Sequence, residues 1–167
     1  MNDFFLYSYT LFENYLETLF LWILKGKFKI KRWTWIKLNN DISFSKKISD
    51  EKIKKYILWD RWNYLDWLPY NEYTKKRAQK YFIDWKPFSE LNNSYNNVFK
   101  EMKLIRNYIS HKSIHLKKDI KRIHPSFNWK LYPLLNKNHS NWNVFLDYYI
   151  IQLNSISWIL QKDILNK

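Results

Sequence analysis

The sequence contains no cysteine and only one glycine, Gly26, among its 167 residues. The absence of cysteine excludes disulfides, thiol catalysis and zinc sites with cysteine ligands, and it fits a reducing cytoplasm. A single glycine cannot build the glycine-rich loop that cradles phosphates in many nucleotide-binding folds. With one glycine and four prolines, the chain has few residues suited to the closely spaced turns of hairpin-rich β folds. These shortages favour an all-α fold of long helices.

The N-terminal segment lacks the positive charges that precede the apolar stretch of a secretory signal peptide. Its apolar stretch from Phe4 to Leu24 is long enough to span a bilayer, but it contains Glu13 and Glu17. Carboxylates are costly at the centre of a membrane, and a wide apolar helix face is better buried in a core. We therefore expect a cytoplasmic protein with no membrane partner. A basic peripheral membrane protein is the remaining membrane-related alternative.

The chain carries 29 Lys and Arg against 15 Asp and Glu, a formal net charge of +14. Such an excess attracts polyanions and accelerates their capture, so it favours a nucleic-acid partner. An AT-rich genome offers another explanation, because lysine codons are AT-rich. Hydrophobic residues make up 46% of the sequence, enough for a globular domain with one sizeable core. We expect one domain covering residues 1–167.

Apolar residues at helical spacing predict a helical bundle. The first helix should run from about Asn2 to Lys25 and end at Gly26. A fourth should span about Asn93 to His111, followed by an irregular segment. The other predicted helices are one begun by Ser49 and continuing through Trp62, one begun by Asn71 and covering Glu72 to about Trp85, and a long last one begun by Ser140.

The segment from Lys27 to Lys37 alternates basic with apolar or aromatic residues, which suits a short β element or a basic loop. Aromatic rings beside lysines are typical of surfaces that bind single-stranded RNA. The alternative is a connector that its tryptophans anchor to the core. The candidate RNA-binding residues are Lys27, Lys29, Lys31 and Arg32, together with Lys112 farther along the chain.

The sequence from Glu101 to Ser113, EMKLIRNYISHKS, places Arg106, Asn107 and His111 near the end of the predicted fourth helix. An arginine followed by asparagine and, after three more residues, histidine resembles the signature of the HEPN superfamily. The stretch LFENYLETLF within the predicted first helix is similar to the first helix of such domains. Arginine and histidine are also common at helix C-termini because they interact favourably with the helix dipole, which is the structural alternative.

The resemblance implies a HEPN-like helical bundle and a metal-independent endoribonuclease that works as a homodimer. Stand-alone HEPN proteins of this size are often toxins or phage-defence effectors, so an antitoxin is a possible partner. The alternative function is a non-catalytic helical module that binds RNA or a protein partner. A metal site is not expected, because His111 and His115 have no apparent third ligand.

The residue types suit RNA cleavage. Histidine is the side chain that changes charge nearest to neutral pH, so His111 could remove the proton from a ribose 2′-hydroxyl. The forked guanidinium of Arg106 could neutralise charge on the phosphate oxygens, with Asn107 orienting His111 or the phosphate. The nucleophile belongs to the substrate, so no cofactor is expected, and DNA should not react.

Helix geometry leads to one further expectation. Five positions at about 100° each place Arg106 and His111 roughly 140° apart around an ideal helix. The two side chains therefore do not share a face unless the helix breaks near Ser110. Two copies related by a two-fold axis would bring both motifs into one cleft, so we expect a homodimer.

Overall fold

A computed structural model describes residues 2–26, 29–30, 34–35, 38–39, 44–45, 47–58, 66–83, 86–91, 93–125, 127, 134–135, 138–140 and 143–162. Six α-helices make up most of these residues, so the all-α prediction is confirmed. The helices are α1 (Asn2–Leu24), α2 (Asp50–Leu58), α3 (Thr74–Tyr81), α4 (Ser94–His111), α5 (Ile114–Ile123) and α6 (Phe145–Gln161). A short 3-10 helix spans Phe88–Glu90. The HEPN-like arrangement of the helices remains a prediction.

Two short antiparallel strand pairs accompany the helices. Strand β1 (Lys29–Ile30) pairs with β2 (Thr34–Trp35), which confirms a short β element within the predicted basic segment. Strand β3 (Asn138–Ser140) pairs with β4 (Asn143–Val144). No helix among the described residues is both long enough and apolar enough to cross a membrane.

The chain divides into two compact units. The first, called unit 1, contains Met1–Phe12 and Asn92–Ser157, and the second, unit 2, contains Glu13–Leu91 and Trp158–Lys167. Each unit has its own buried apolar residues. The expectation of a single domain over residues 1–167 remains a prediction.

The core of unit 1 is largely aromatic. The ring of Phe12 in α1 stacks on Phe99 in α4 with centroids 5.7 Å apart, and Phe5 meets Tyr149 of α6 edge to face at 5.7 Å. Such pairs contribute beyond the area they bury. The other buried apolar side chains of α4, α5 and α6 here are Val98, Met102, Ile105, Tyr108, Ile120, Leu153 and Ile156. The apolar spacing of α4 thus places one face in the core and leaves the opposite face for other roles.

In unit 2 the ring of Phe20 lies at the centre of an aromatic cluster. Its centroid is 5.1 Å from that of Trp67, 5.0 Å from Phe82 and 5.4 Å from Phe88. The indole N–H of Trp67 donates to the carboxylate of Glu17 at 3.0 Å. The Glu17 carboxylate, which argued against a membrane helix, therefore accepts a hydrogen bond from a buried tryptophan.

Several predicted helix ends are confirmed. Helix α1 ends at Leu24, and Gly26 follows with a φ of 63°, a left-handed conformation that glycine adopts without a Cβ penalty. Ser49 precedes α2, and its hydroxyl accepts from the backbone N–H of Lys52 at 3.4 Å. Residues 59–65 lie outside the described part of the chain, so the predicted extension to Trp62 remains a prediction.

Two predicted helix starts were wrong. Asn71 does not begin α3, because residues after Pro69 form a turn in which Glu72 and Tyr73 donate to the Pro69 carbonyl, and the helix starts at Thr74. It also ends earlier than predicted, where Phe82 becomes extended and bridges to Leu38. Ser140 does not begin the last helix, because it lies in β3 and α6 starts at Phe145.

The segment after His111 was predicted to be irregular, and that prediction was wrong for residues 114–123, which form α5. Ser113 begins this helix, since its hydroxyl accepts from the backbone N–H of His115 at 3.3 Å. Only Ile120 of α5 is fully buried. The helical spacing of Leu116, Ile120 and Ile123 was present in the sequence, but sequence reasoning overlooked it.

Replacing Ile120 with Ala tests whether α5 packs as described. Ile120 is 0% exposed, so the substitution should lower the free energy of unfolding by about 2–4 kcal/mol. Ile123→Ala on the same helix is the matched control, because its side chain is 46% exposed, and it should cost less than about 1 kcal/mol. Urea denaturation measures both changes. Equal losses in the two variants would contradict the packing of α5.

Candidate active site at the α4–α5 hairpin

Helix α4 carries all three residues of the predicted motif. Its buried face consists of Val98, Met102, Ile105 and neighbouring apolar residues, which fixes the rotation of the helix. Arg106 and Asn107 lie at the edge of this face and are partly exposed, whereas His111 is the last residue of the helix and is exposed. The helix is unbroken through Ser110, so the angular separation expected from ideal geometry applies.

Arg106 and Asn107 contact each other directly. A guanidinium Nη1 of Arg106 donates to the Oδ1 of Asn107 at 3.1 Å. This contact restricts the guanidinium while leaving its other N–H groups available for an anion. In the described part of the chain no hydrogen bond links Asn107 to His111. The structure therefore brings two of the three predicted residues together and leaves the histidine apart from them.

A tight link joins α4 to α5. Lys112 adopts a left-handed conformation with φ 46° and ψ 30°, and its N–H donates to the Tyr108 carbonyl at 2.9 Å. Ser113 is extended and starts the next helix. His111, Lys112 and His115 are consequently all exposed at the tip of one helical hairpin. The N-terminal end of α5 has a partial positive charge that favours an anion beside them.

The hairpin from Ser94 to Ile123 is strongly basic, with eight Lys and Arg residues and two acidic residues. Both acidic side chains have partners in the structure. Glu101 contacts His124, and Asp119 pairs with Arg122 at 3.4 Å. Cationic residues on the hairpin outnumber acidic ones by four to one. The positive field is therefore concentrated on the element that carries the motif.

Sequence reasoning missed the role of Glu101. Its carboxylate contacts the Nε2 of His124 at the end of α5, where the two side chains are 18% and 11% exposed. The ring of His124 meets that of Phe145 edge to face at 4.9 Å. Burial raises the pKa of the nearby Tyr149 hydroxyl, and the Glu101 carboxylate adds to this rise. The sequence indicated this contact only through Glu101 being the one acidic residue of a basic helix, α4. Its partner His124 follows α5, a helix that was not predicted.

The predicted RNA-binding residues are located in part. Lys112 is exposed beside His111, and Lys29 lies in β1, but Lys27, Lys31 and Arg32 lie outside the described residues. Sequence reasoning also overlooked the basic residues of α5. Their signal was present, since Ser113 precedes a stretch that ends in Lys121 and Arg122, a common pattern at helix C-termini.

Among the described residues, no group of three or more His, Asp or Glu side chains is arranged to hold a metal ion. Comparisons with models of protein families, with curated proteins and with solved structures find no match for this chain.

Replacing Lys112 with Gly tests the geometry of the hairpin link. A non-glycine residue with φ 46° is strained by its Cβ, so Lys112→Gly should be more stable than Lys112→Ala by about 0.5–1 kcal/mol. Lys112→Ala is the matched control, because it removes the same charge and keeps the Cβ. Urea denaturation compares the two variants. A glycine variant less stable than the alanine variant would contradict the left-handed link.

Proposed function

We propose that this protein is a metal-independent endoribonuclease of the HEPN type, with His111 as general base and Arg106 binding the scissile phosphate. The observation that carries the proposal is the placement of an exposed His111 at the end of the helix that holds the Arg106–Asn107 pair. The strongly basic hairpin around these residues supports an RNA substrate.

In the proposed reaction, His111 takes the proton from a ribose 2′-hydroxyl. The 2′-oxygen then attacks the adjacent phosphorus, and the bond from phosphorus to the 5′-oxygen breaks. The leaving oxygen takes a proton from water, and the protonated His111 returns its proton to the resulting hydroxide, so the products are a 2′,3′-cyclic phosphate and a 5′-hydroxyl. Arg106 stabilises the negative charge that develops on the phosphate oxygens. Because Asn107 accepts from Arg106, its proposed role is to hold the guanidinium.

Binding of RNA is assigned to the exposed charge of the hairpin. Lys112 lies next to His111, and Lys118 and Arg122 are exposed on α5. Lys27, Lys29, Lys31 and Arg32 stay candidates for a second RNA contact. By resemblance to stand-alone HEPN proteins, the proposed biological role is that of a toxin or phage-defence effector with an antitoxin as a partner.

A homodimer is part of the proposal, because one chain does not place its own Arg106 beside its own His111. Both residues belong to one unbroken helix, with roughly 140° between them. A second copy related by a two-fold axis supplies the missing residue. Ile114, beside the motif, is 62% exposed, which provides an apolar contact at the same place.

The second candidate function is a non-catalytic module that binds RNA. One observation favours it: within the described residues, His111 has no hydrogen-bond partner to orient its ring, whereas catalytic histidines are usually oriented by one. Substitution of His111 separates the two functions, because only the catalytic one requires an imidazole.

We expect His111→Ala to abolish RNA cleavage while RNA binding persists, because the general base is lost and the basic surface remains. The free energy of unfolding should change by no more than about 1 kcal/mol, since the side chain is exposed. Arg106→Ala should also slow cleavage, and Arg106→Lys should not restore it fully, because an ammonium cannot reproduce the fork. Electrophoresis of a labelled RNA measures the rates.

The same assay has two chemical controls and one matched variant. Cleavage should continue in EDTA, and a substrate with 2′-deoxyribose at the cut site should resist. His115→Ala, an exposed histidine on the neighbouring helix, should retain most of the activity. Equal rates for His111→Ala and the unmodified protein would contradict the catalytic proposal and favour the binding module.

A mixing experiment tests the homodimer. Alone, Arg106→Ala should be slow and His111→Ala inactive, and mixing them should raise the activity above that of either variant, because one site of a mixed dimer contains an intact arginine and an intact histidine. Activity per protomer should also fall on dilution, as the dimer dissociates. A strictly monomeric protein that remains fully active at high dilution would contradict the shared site.

A further inference from the structure

A second cluster of positive charge lies in unit 2, away from the motif in sequence. Helix α3 has four cationic residues and no acidic one among its eight residues. Counted from Tyr73, cationic residues follow at three, four and seven positions, namely Lys76, Arg77 and Lys80. All four residues therefore share one side of the helix. The buried side of α3 consists of Thr74, Ala78 and Tyr81. A run of cations on a helix is usually a solvated face, so the charge alone does not indicate a site.

The structure shows that this side of α3 borders a cavity of about 250 Å³. Three of its lining side chains are cationic, namely Lys76, Arg77 and Lys80, and one is acidic, Glu72. Ile57 and two tyrosines complete the lining. The volume is slightly below the range of about 300–1,000 Å³ that is usual for drug-sized ligands. The cavity therefore suits a small anion or one end of a larger one.

Arg77 is held in position before any ligand arrives. Its guanidinium lies 4.9 Å from the ring centroid of Trp67 and 5.8 Å from that of Tyr73, and its Nη1 donates to the Asp66 carbonyl. Trp67 is in turn fixed by its hydrogen bond to Glu17 at 3.0 Å. A guanidinium stacked in this way loses little conformational freedom when it binds an oxyanion.

Arg77 is partly buried, and the carboxylates of Asp66 and Glu17 lie near its guanidinium. Burial lowers the pKa of its guanidinium, although Asp66 and other nearby groups oppose that shift. A partly desolvated cation interacts more strongly with an added negative charge than a fully solvated one does. Lys76 and Lys80 are exposed at the cavity rim, where their ammonium groups can approach a ligand without unfavourable desolvation.

We propose that this cavity binds the phosphate group of a nucleotide, either free or within an RNA strand. A planar guanidinium offers paired N–H donors to two oxygens, and two flexible ammonium groups suit the remaining charge of a phosphate. Tyr73 also lines the cavity, and aromatic rings contact sugars and bases. The proposal does not depend on RNA cleavage, since all the residues involved lie in unit 2.

Isothermal titration calorimetry on the full chain tests the site, with inorganic phosphate, uridine monophosphate and a short oligoribonucleotide as probes. The His111→Ala chain serves for the oligonucleotide, so that cleavage cannot interfere. The double variant Lys76→Glu with Lys80→Glu should bind about tenfold or more weakly to each probe that the cavity of the unmodified protein binds, because the charges of two contacts are reversed. Circular dichroism should show an unchanged fold, since both side chains are exposed.

The matched control is Lys52→Glu with Lys55→Glu. These exposed lysines lie on α2 in the same unit, do not line the cavity, and change the net charge equally. This control should alter affinity by less than about twofold. If uridine monophosphate binds and its binding depends on Lys76 and Lys80, the ligand of the cavity is a free nucleotide. If only the oligonucleotide shows this dependence, the ligand is a phosphate within an RNA strand. Equal losses in the two double variants, or no binding of any probe, would overturn the proposal.

Discussion

A left-handed backbone at Lys112 allows α4 and α5 to follow each other with only two residues between them. The N–H of Lys112 closes α4 on the Tyr108 carbonyl, and Ser113 opens α5 by accepting from His115. His111 is thereby held at the end of one helix and beside the start of the next.

The sequence was sufficient to predict the helix that carries the motif. Helix α4 has apolar residues at regular helical spacing and no glycine or proline, so both of its ends are close to those expected from the pattern. Helix α1 was equally clear, because its apolar face is long and Gly26 terminates it. Strong periodicity and unambiguous stop signals make local structure predictable from sequence.

Other features depended on contacts that the sequence pattern does not contain. Helix α5 is the exception, because Leu116, Ile120 and Ile123 do stand at helical spacing and were overlooked. Helix α3 starts late because Pro69 organises a backbone turn ahead of it. The cavity beside α3 includes Ile57 of α2, which is distant in sequence from the lysines of α3. Capping and cavity formation are tertiary effects that override local preference.

The residues from Arg106 to His115 belong to a single hairpin whose two helices pack together. Contacts within a hairpin join positions close in sequence, so closing the chain around them costs little entropy. By contrast, the core of unit 1 joins Phe5, near the start of the chain, to Tyr149, near its end. Sequence-local contacts form faster than distant ones. During synthesis, the hairpin can therefore form before α6 has emerged to complete the surrounding core.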